Sequence, residues 1–245
     1  MGFITAFKFL TIFPLPQTWQ SGKMDYGRSL IYFPLVGLLL GVILSLVYYG
    51  LLYILPYSLV CVLLLIALTV MTGANHLDGL MDTFDGIVSG KSRERRLEIM
   101  ADTRVGAFGI TAAIFTLLLK YVALTSLDRT IVIPALLLMP VLSRWVMVGA
   151  ITAFPYVRNA GLGLEFKRGS SWKKVAIATA FSLLISLLLL KVWSIALMVV
   201  LGLIAWGIAY YFSSRLGGLT GDVYGALNEI SEVLVLVALL LFWRL

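Results

Sequence analysis

Apolar residues run through this chain in long stretches with few polar breaks. Seven such runs stand out, at about 30–54, 58–79, 107–126, 131–154, 175–193, 195–213 and 228–243. A helix crossing a ~30 Å hydrocarbon core needs ~20 largely apolar residues, so each run is a candidate span. Only Lys191, Val192, Trp193 and Ser194 part the fifth from the sixth, which predicts a tight helical hairpin. A shorter run, Phe3 to Phe13, is interrupted by Lys8 and followed by Pro14. It is too short to span and lacks the form of a cleavable signal, so it reads as a helix lying in the membrane interface. No repeat or low-complexity linker divides the chain. The expectation is an all-α, polytopic integral membrane bundle of about seven transmembrane helices plus a short N-terminal interfacial helix, one domain over 1–245.

Composition agrees with this and adds a direction. Of 245 residues, 61% are hydrophobic and 13% charged, with a mean hydropathy of +1.01. Water-soluble domains carry ~25% charged residues. Too few polar residues remain to cover a water-facing surface, which excludes a soluble domain, a disordered chain and a nucleic-acid-binding module of the usual basic kind. The single cysteine, Cys61, lies in an apolar run and permits neither an internal disulfide nor a thiol-rich metal site. Lys and Arg number 19 against 12 Asp and Glu, and they are unevenly placed. With the N-terminus inside, the N-terminal arm and the stretches 88–106, 155–174 and 213–227 carry 14 of them, against Arg129, Lys191 and Arg244 outside. Lys120 and Arg144 fall within spans. Basic residues collect in cytoplasmic loops, so this asymmetry assigns those three stretches to the inner side.

The densest polar chemistry is the stretch TGANHLDGLMDTFDG, from Thr72 to Gly86. At about 100° per residue, the carboxylates of Asp78, Asp82 and Asp85 share an arc of about 60°, and His76 points roughly opposite in a continuous helix. A helix that starts near Ser58 at the outer face brings Asp78 to the inner boundary, with Asp82 and Asp85 one and two turns beyond. Carboxylates stacked in this way repel one another and resist desolvation; a hard cation with oxygen ligands, Mg²⁺, removes both costs. A solvated acidic helix end, or carboxylates paired with arginines, is the plainer alternative. Leu77, Leu80, Met81 and Phe84 argue for a mostly buried helix, and so for the cation.

Three further elements fall on the inner side. Residues 93–109 carry Asp102 and Arg104 just before Gly106 and Gly109, while Arg93 and Arg96 equally suit a snorkelling juxtamembrane helix. Residues 155–163 place Arg158 beside Gly161 and Gly163, a pattern that suits a diphosphate as well as a plain turn. Residues 217–232 combine Thr220, Asp222 and Gly225 with Asn228 and Glu232, where acids at a helix start also serve as caps. Four elements on one side argue for one site, and for cation-assisted displacement at a phosphate or diphosphate. A lone histidine and the lack of a Ser-His-Asp set argue against zinc hydrolysis and acyl transfer.

The runs HLDGLMDTFDG, RRLEIMADTRVGAFG, PYVRNAGLG and GGLTGDVYGALNEISE, in that order behind FLTIFPLP, resemble the cobalamin synthase family, the adenosylcobinamide-GDP ribazoletransferases. The resemblance implies a Mg²⁺-dependent enzyme of the cytoplasmic (inner) membrane with its active site on the cytoplasmic side. It would join adenosylcobinamide-GDP to α-ribazole, or its 5′-phosphate, and release GMP. Asp78, Asp82 and Asp85 match the family's acidic motif and Asp222 its second one; with Asp102 these are the implied metal ligands. His76, Arg104, Arg158, Thr220, Asn228 and Glu232 are the implied substrate contacts, and Asp82 or Asp85 the implied proton acceptor. Ala74 stands where the family pattern usually has a second glycine. Implied partners are the two substrates and the lipid bilayer, with a homo-oligomer or other cobalamin-assembly enzymes left open, and no nucleic acid.

Two rivals are weaker. A phosphatidyltransferase of phospholipid synthesis needs Ala-Arg shortly after its Asp-Gly, where here Asp78-Gly79 leads to Met81-Asp82. An ion-coupled transporter would place its acids near the bilayer midplane and gives no reason for arginine and glycine loops to gather on one side. In a Cys61→Ser background, Gly90→Cys and Asp222→Cys should both react with a membrane-impermeant thiol reagent only in inside-out vesicles. Labelling from opposite faces would break the single-site reading.

Overall fold

Within lipid a backbone must satisfy its own N–H and C=O groups, so the apolar runs of this chain have only helix or closed barrel open to them. In a computed structural model of the protein they are helices. The structure describes residues 1–16 and 24–243. Lys23 and Arg244, counted in the charge balance, lie outside the described residues. A short helix α1 (Gly2–Leu10) is followed by α2 (Tyr26–Ser29), capped by the Asp25 carboxylate on the Arg28 amide, and a 3-10 turn that runs straight into α3 (Phe33–Leu52). Then come α4 (Tyr57–Met71), α5 (Asn75–Ser89) and α6 (Arg93–Ile99). The long helices α7 (Ala107–Ser126) and α8 (Arg129–Ala153) precede a short α9 (Leu162–Arg168). The chain closes with α10 (Trp172–Leu190), α11 (Trp193–Leu216) and α12 (Gly221–Trp243). Six spans are long and apolar enough to cross a membrane, and the bent pair α4–α5 counts as a seventh. The helix pair α10–α11 forms the expected hairpin, turning at Lys191.

Helix α8 sits at the centre, packed mainly against α3 and α12. The apolar core is continuous from Ala6 to Leu239. The segment after α1 meets the end of α4, where the Ile12 amide donates to the Met71 carbonyl at 2.9 Å.

Two expectations are corrected. The second run is not one helix from 58 to 79: it breaks at Thr72–Ala74, and α5 leaves α4 at 87°. The Thr72 hydroxyl donates back to the carbonyls of Leu68 (3.0 Å) and Thr69 (3.2 Å), while Gly73 and Ala74 both take left-handed backbone, at φ +65° and +58°. The acids therefore run across the bundle instead of continuing along the axis of α4. The last span begins at Gly221, seven residues before the apolar run suggests, because Asn228, Glu229 and Glu232 find bonding partners inside the bundle.

Ala74 holds a left-handed backbone, which glycine alone adopts without a steric cost. An L-residue in that conformation costs roughly 1–2 kcal/mol. Ala74→Val should lower the stability of the detergent-purified protein by at least ~1 kcal/mol, since β-branching makes a positive φ worse. Ala74→Gly should leave stability level or slightly raised, as relief of strain is offset by ~0.4–1 kcal/mol of added unfolded-chain freedom. Thermal unfolding midpoints in the order Gly ≥ Ala > Val would bear this out.

Candidate active site

The site is made where α5 crosses the first turns of α12. A Cβ on Gly79 would lie 2.7 Å from the carbonyl oxygen of Asp222 and 2.9 Å from its Cα. A Cβ on Gly225 would lie 3.1 Å from the backbone of His76. The two backbones thus touch twice, an approach open only to glycine. It brings Asp78 and Asp82 of α5 to Asp222 at the start of α12. A third segment is tied in by a single parallel bridge between Tyr156 and Leu219: the Leu219 amide donates to Pro155 at 2.8 Å and the Val157 amide to Leu219 at 2.9 Å. The bridge sets Arg158 so that its Nη2 donates to Asp222 Oδ2 at 2.7 Å and to the Met100 carbonyl at 3.3 Å. Thr220 donates to the same Asp222 oxygen at 3.3 Å and accepts from the Val223 amide.

These groups border a cavity of about 700 Å³, within the ~300–1,000 Å³ usual for small-molecule sites. Asp78, Asp222 and Arg158 line it together with His76, Tyr156 and Tyr224, and α1 contributes Lys8. Burial pushes the Tyr156 phenol up from its ordinary value. The carboxylates of Asp78, Asp82 and Asp222 are close enough to repel one another. Among the described residues, neither Asp78 nor Asp82 has a hydrogen-bond or ion-pair partner. Three carboxylates face two cations, Arg158 and Lys8, so the site is left net negative in low dielectric. An all-oxygen donor set with surplus negative charge fits a hard divalent cation. No three His, Cys, Asp or Glu side chains among the described residues converge on one metal-sized point. Mg²⁺ does not demand such a cage, because it is usually held by one or two carboxylates, waters and the substrate's own phosphates.

The sequence matches the family model described as cobalamin-5-phosphate synthase over residues 2–240. The chain belongs to that family. The adenosylcobinamide-GDP ribazoletransferase of Desulforamulus reducens is 41% identical over 237 residues, covering 96% of this chain and 94% of that protein. The protein of the same name from Geotalea daltonii is 38% identical over 237 residues, covering 97% and 96%. That from Desulfitobacterium hafniense is 41% identical over 243 residues, covering 95% and 93%. No solved structure matches. As a member of this family the chain is a membrane-embedded transferase enzyme of cobalamin synthesis, and the phosphatidyltransferase and transporter readings fall away.

Of the residues expected to serve this synthase, Asp78, Asp82, Asp222 and Arg158 are brought together. His76 and Asp78 lie on different faces of α5, yet both border this cavity, His76 beside the crossing at Gly225. Asp85 has other work. It is buried, and its two oxygens accept from the amides of Gly106 (2.7 Å) and Gly109 (2.8 Å) at the start of α7. A Cβ on either glycine would strike that carboxylate. Asp85 therefore fastens α7 to α5 through both of its oxygens. Asp102 and Arg104 do not reach the cavity. Arg104 is 88% exposed and pairs with Asp102 at 2.7 Å, which holds that carboxyl down at about 2. Thr220 is buried, bonds to Asp222 and the Val223 amide, and does not line the cavity. Asn228 and Glu232 lie deeper along α12, fully buried and bonded to each other and to groups inside the bundle, away from the cavity.

Sequence reasoning missed Lys8, Tyr156 and Tyr224 as cavity groups, and nothing in the apolar run around Lys8 signals that role. It saw Lys120 and Arg144 inside spans without their partners; two cations in lipid are themselves a signal that anions must face them.

Different duties for neighbouring acids give different mutants. Asp85→Asn leaves an amide nitrogen facing backbone N–H, which should cost about 1–3 kcal/mol. Asp78→Asn relieves repulsion and should leave the melting temperature level or higher. Equal destabilisation of the two variants would refute this division.

Proposed function

We propose that this protein joins α-ribazole, or its 5′-phosphate, to adenosylcobinamide-GDP with release of GMP, using Mg²⁺, on the cytoplasmic face of the inner membrane. The observation that carries the reading is the meeting of Asp78, Asp222 and Arg158 at one cavity, with the Asp82 carboxylate close enough to feel all three, in a chain of this family. The curated relatives are named for the same pair of reactants. The inner-side assignment rests on the 14 basic residues that flank the motifs.

In the step proposed, a ribose hydroxyl oxygen bonds to the phosphorus that carries the corrinoid, and the bond from that phosphorus to the bridging oxygen of the diphosphate breaks. GMP leaves with that oxygen. Asp82 accepts the hydroxyl proton: it is half-buried, free of protein partners, and beside Asp78 and Asp222. Asp78 and Asp222 would hold Mg²⁺, which supplies positive charge to the non-bridging oxygens and the leaving group. Arg158 steadies Asp222 and presents the rest of its guanidinium to the diphosphate, and Lys8 adds a second cation to the lining. A cavity of about 700 Å³ takes the diphosphate and nucleoside parts, and the much larger corrinoid stays at its mouth.

Purified protein in lipid, given adenosylcobinamide-GDP, α-ribazole and Mg²⁺, should yield GMP and a joined corrinoid in equal amounts. A parallel reaction with α-ribazole 5′-phosphate ranks the two acceptors. Asp82→Ala should lower turnover at least ~100-fold, the usual effect of losing a proton acceptor, with the protein still folded in the membrane. Absence of both products from the unaltered enzyme sinks the proposal; near-normal turnover of Asp82→Ala removes that residue from the chemistry.

A further inference from the structure

Below the cavity, four charged side chains are shut inside the bundle. Lys120 of α7 pairs with Glu229 (2.6 Å) and Glu232 of α12, and Arg144 of α8 pairs with Glu232. None is more than 9% exposed. Asn228 donates to Glu232 at 3.1 Å, and Arg144 donates to Ser143 at 2.9 Å. Two cations and two anions cancel, so the quartet has no surplus charge with which to draw a ligand. Its bonds are within itself and to Asn228 and Ser143, Arg144 Nε and Nη2 have no partner among the described residues, and it acts electrostatically on His76 on the cavity wall.

Stability alone is a poor reason for such a group. Charges resist burial, and well-packed apolar residues of similar volume often replace a buried ion cluster without loss. Direction is what the quartet adds. Lipid is as apolar as leucine, so apolar side chains alone fix the rotation of a membrane helix only weakly, whereas hydrogen-bonded ion pairs are directional. On α12, Asp222, Gly225, Glu229 and Glu232 fall within an arc of about 80°, and Glu232 stands ~15 Å along the axis from Asp222. One face of one rigid rod thus carries the cavity carboxylate, the crossing glycine and both network acids. A rotation of ~20° about this axis would move a side-chain tip by ~2 Å, given a helix radius of ~5–6 Å with side chains.

We propose that Lys120, Arg144, Glu229 and Glu232 are positioning residues whose pairing sets the rotation of α12 and so holds Asp222 in line with Asp78. The inference deepens the proposed function and rests on it for its kinetic readout. A displacement of ~1 Å in a reacting group can cost about 100-fold in rate, and disturbing the residues that orient a metal ligand weakens metal affinity by ~10–100-fold.

The test uses the full chain in lipid. In a quadruple variant, Lys120→Met, Arg144→Met, Glu229→Leu and Glu232→Leu, all four charges are replaced together by apolar groups. It should keep its melting temperature and keep KM for both substrates within about 2-fold, while kcat falls about 100-fold. Mn²⁺ binding without substrate, followed by paramagnetic resonance, should weaken at least 10-fold. The near-isosteric Glu229→Gln should shift kcat and Mn²⁺ affinity in the same direction, by about 10-fold, and decides the matter if the quadruple variant does not fold. A folded variant with unaltered kcat and Mn²⁺ affinity overturns the inference. Failure of the unaltered enzyme to release GMP would instead count against the proposed function, and the Mn²⁺ readout would still judge the quartet.

Discussion

Where α5 passes over the start of α12, no side chain separates the two backbones. Gly79 lies on Asp222, and Gly225 lies on His76. A single methyl group at either place would push the helices apart, and with them the carboxylates that only this contact brings into range. Several other features serve the crossing. The left-handed pair Gly73–Ala74 turns the chain through 87° so that α5 can reach α12 at all. Asp85 holds the far half of α5 against the start of α7. The Tyr156–Leu219 bridge brings Arg158 to the end of α12 that carries Asp222.

Two groups of charges are built on opposite principles within ~15 Å along one helix. The quartet of Lys120, Arg144, Glu229 and Glu232 is neutral, and its charges answer one another; it is closed. Asp78, Asp82 and Asp222 outnumber Arg158 and Lys8, and Asp78 is open to the cavity. In low dielectric the first arrangement is neutral without a ligand, while the second gains most when positive charge arrives. The proposed chemistry draws on both, since a displacement at a diphosphate calls for strong fields held in a fixed geometry.

Much of this was legible beforehand. The apolar runs located the long helices, because the length of a span is a property of the bilayer. The hairpin at Lys191 followed from the shortness of its polar break. The acidic motif, Asp222 and Arg158 were visible as polar residues among glycines on one side of the charge asymmetry. The bend at Thr72–Ala74 was not, since each of those residues tolerates a helix and only the family pattern of glycine hinted at the left-handed backbone. Nor were the duties of individual polar residues. Asp85 looks like Asp78 and Asp82 by spacing, yet it meets two amides of another helix. Asp102 and Arg104 look purposeful, yet they bond to each other at the surface. Asn228 and Glu232 read as a polar approach to a span, although they lie deep within one.

The chain's sequence by itself determined the solvent, the helical class, the family and the acids available for chemistry. These depend on composition, on local order and on motif, all carried by neighbours along the chain. The tertiary structure decided which acid is free, which is fastened and which is neutralised. Each of those outcomes depends on a partner far away in sequence: Gly106 and Gly109 for Asp85, Arg158 for Asp222, Lys120 and Arg144 for Glu232. A carboxylate's role follows from the charge and donors around it, and only the folded chain brings those within reach.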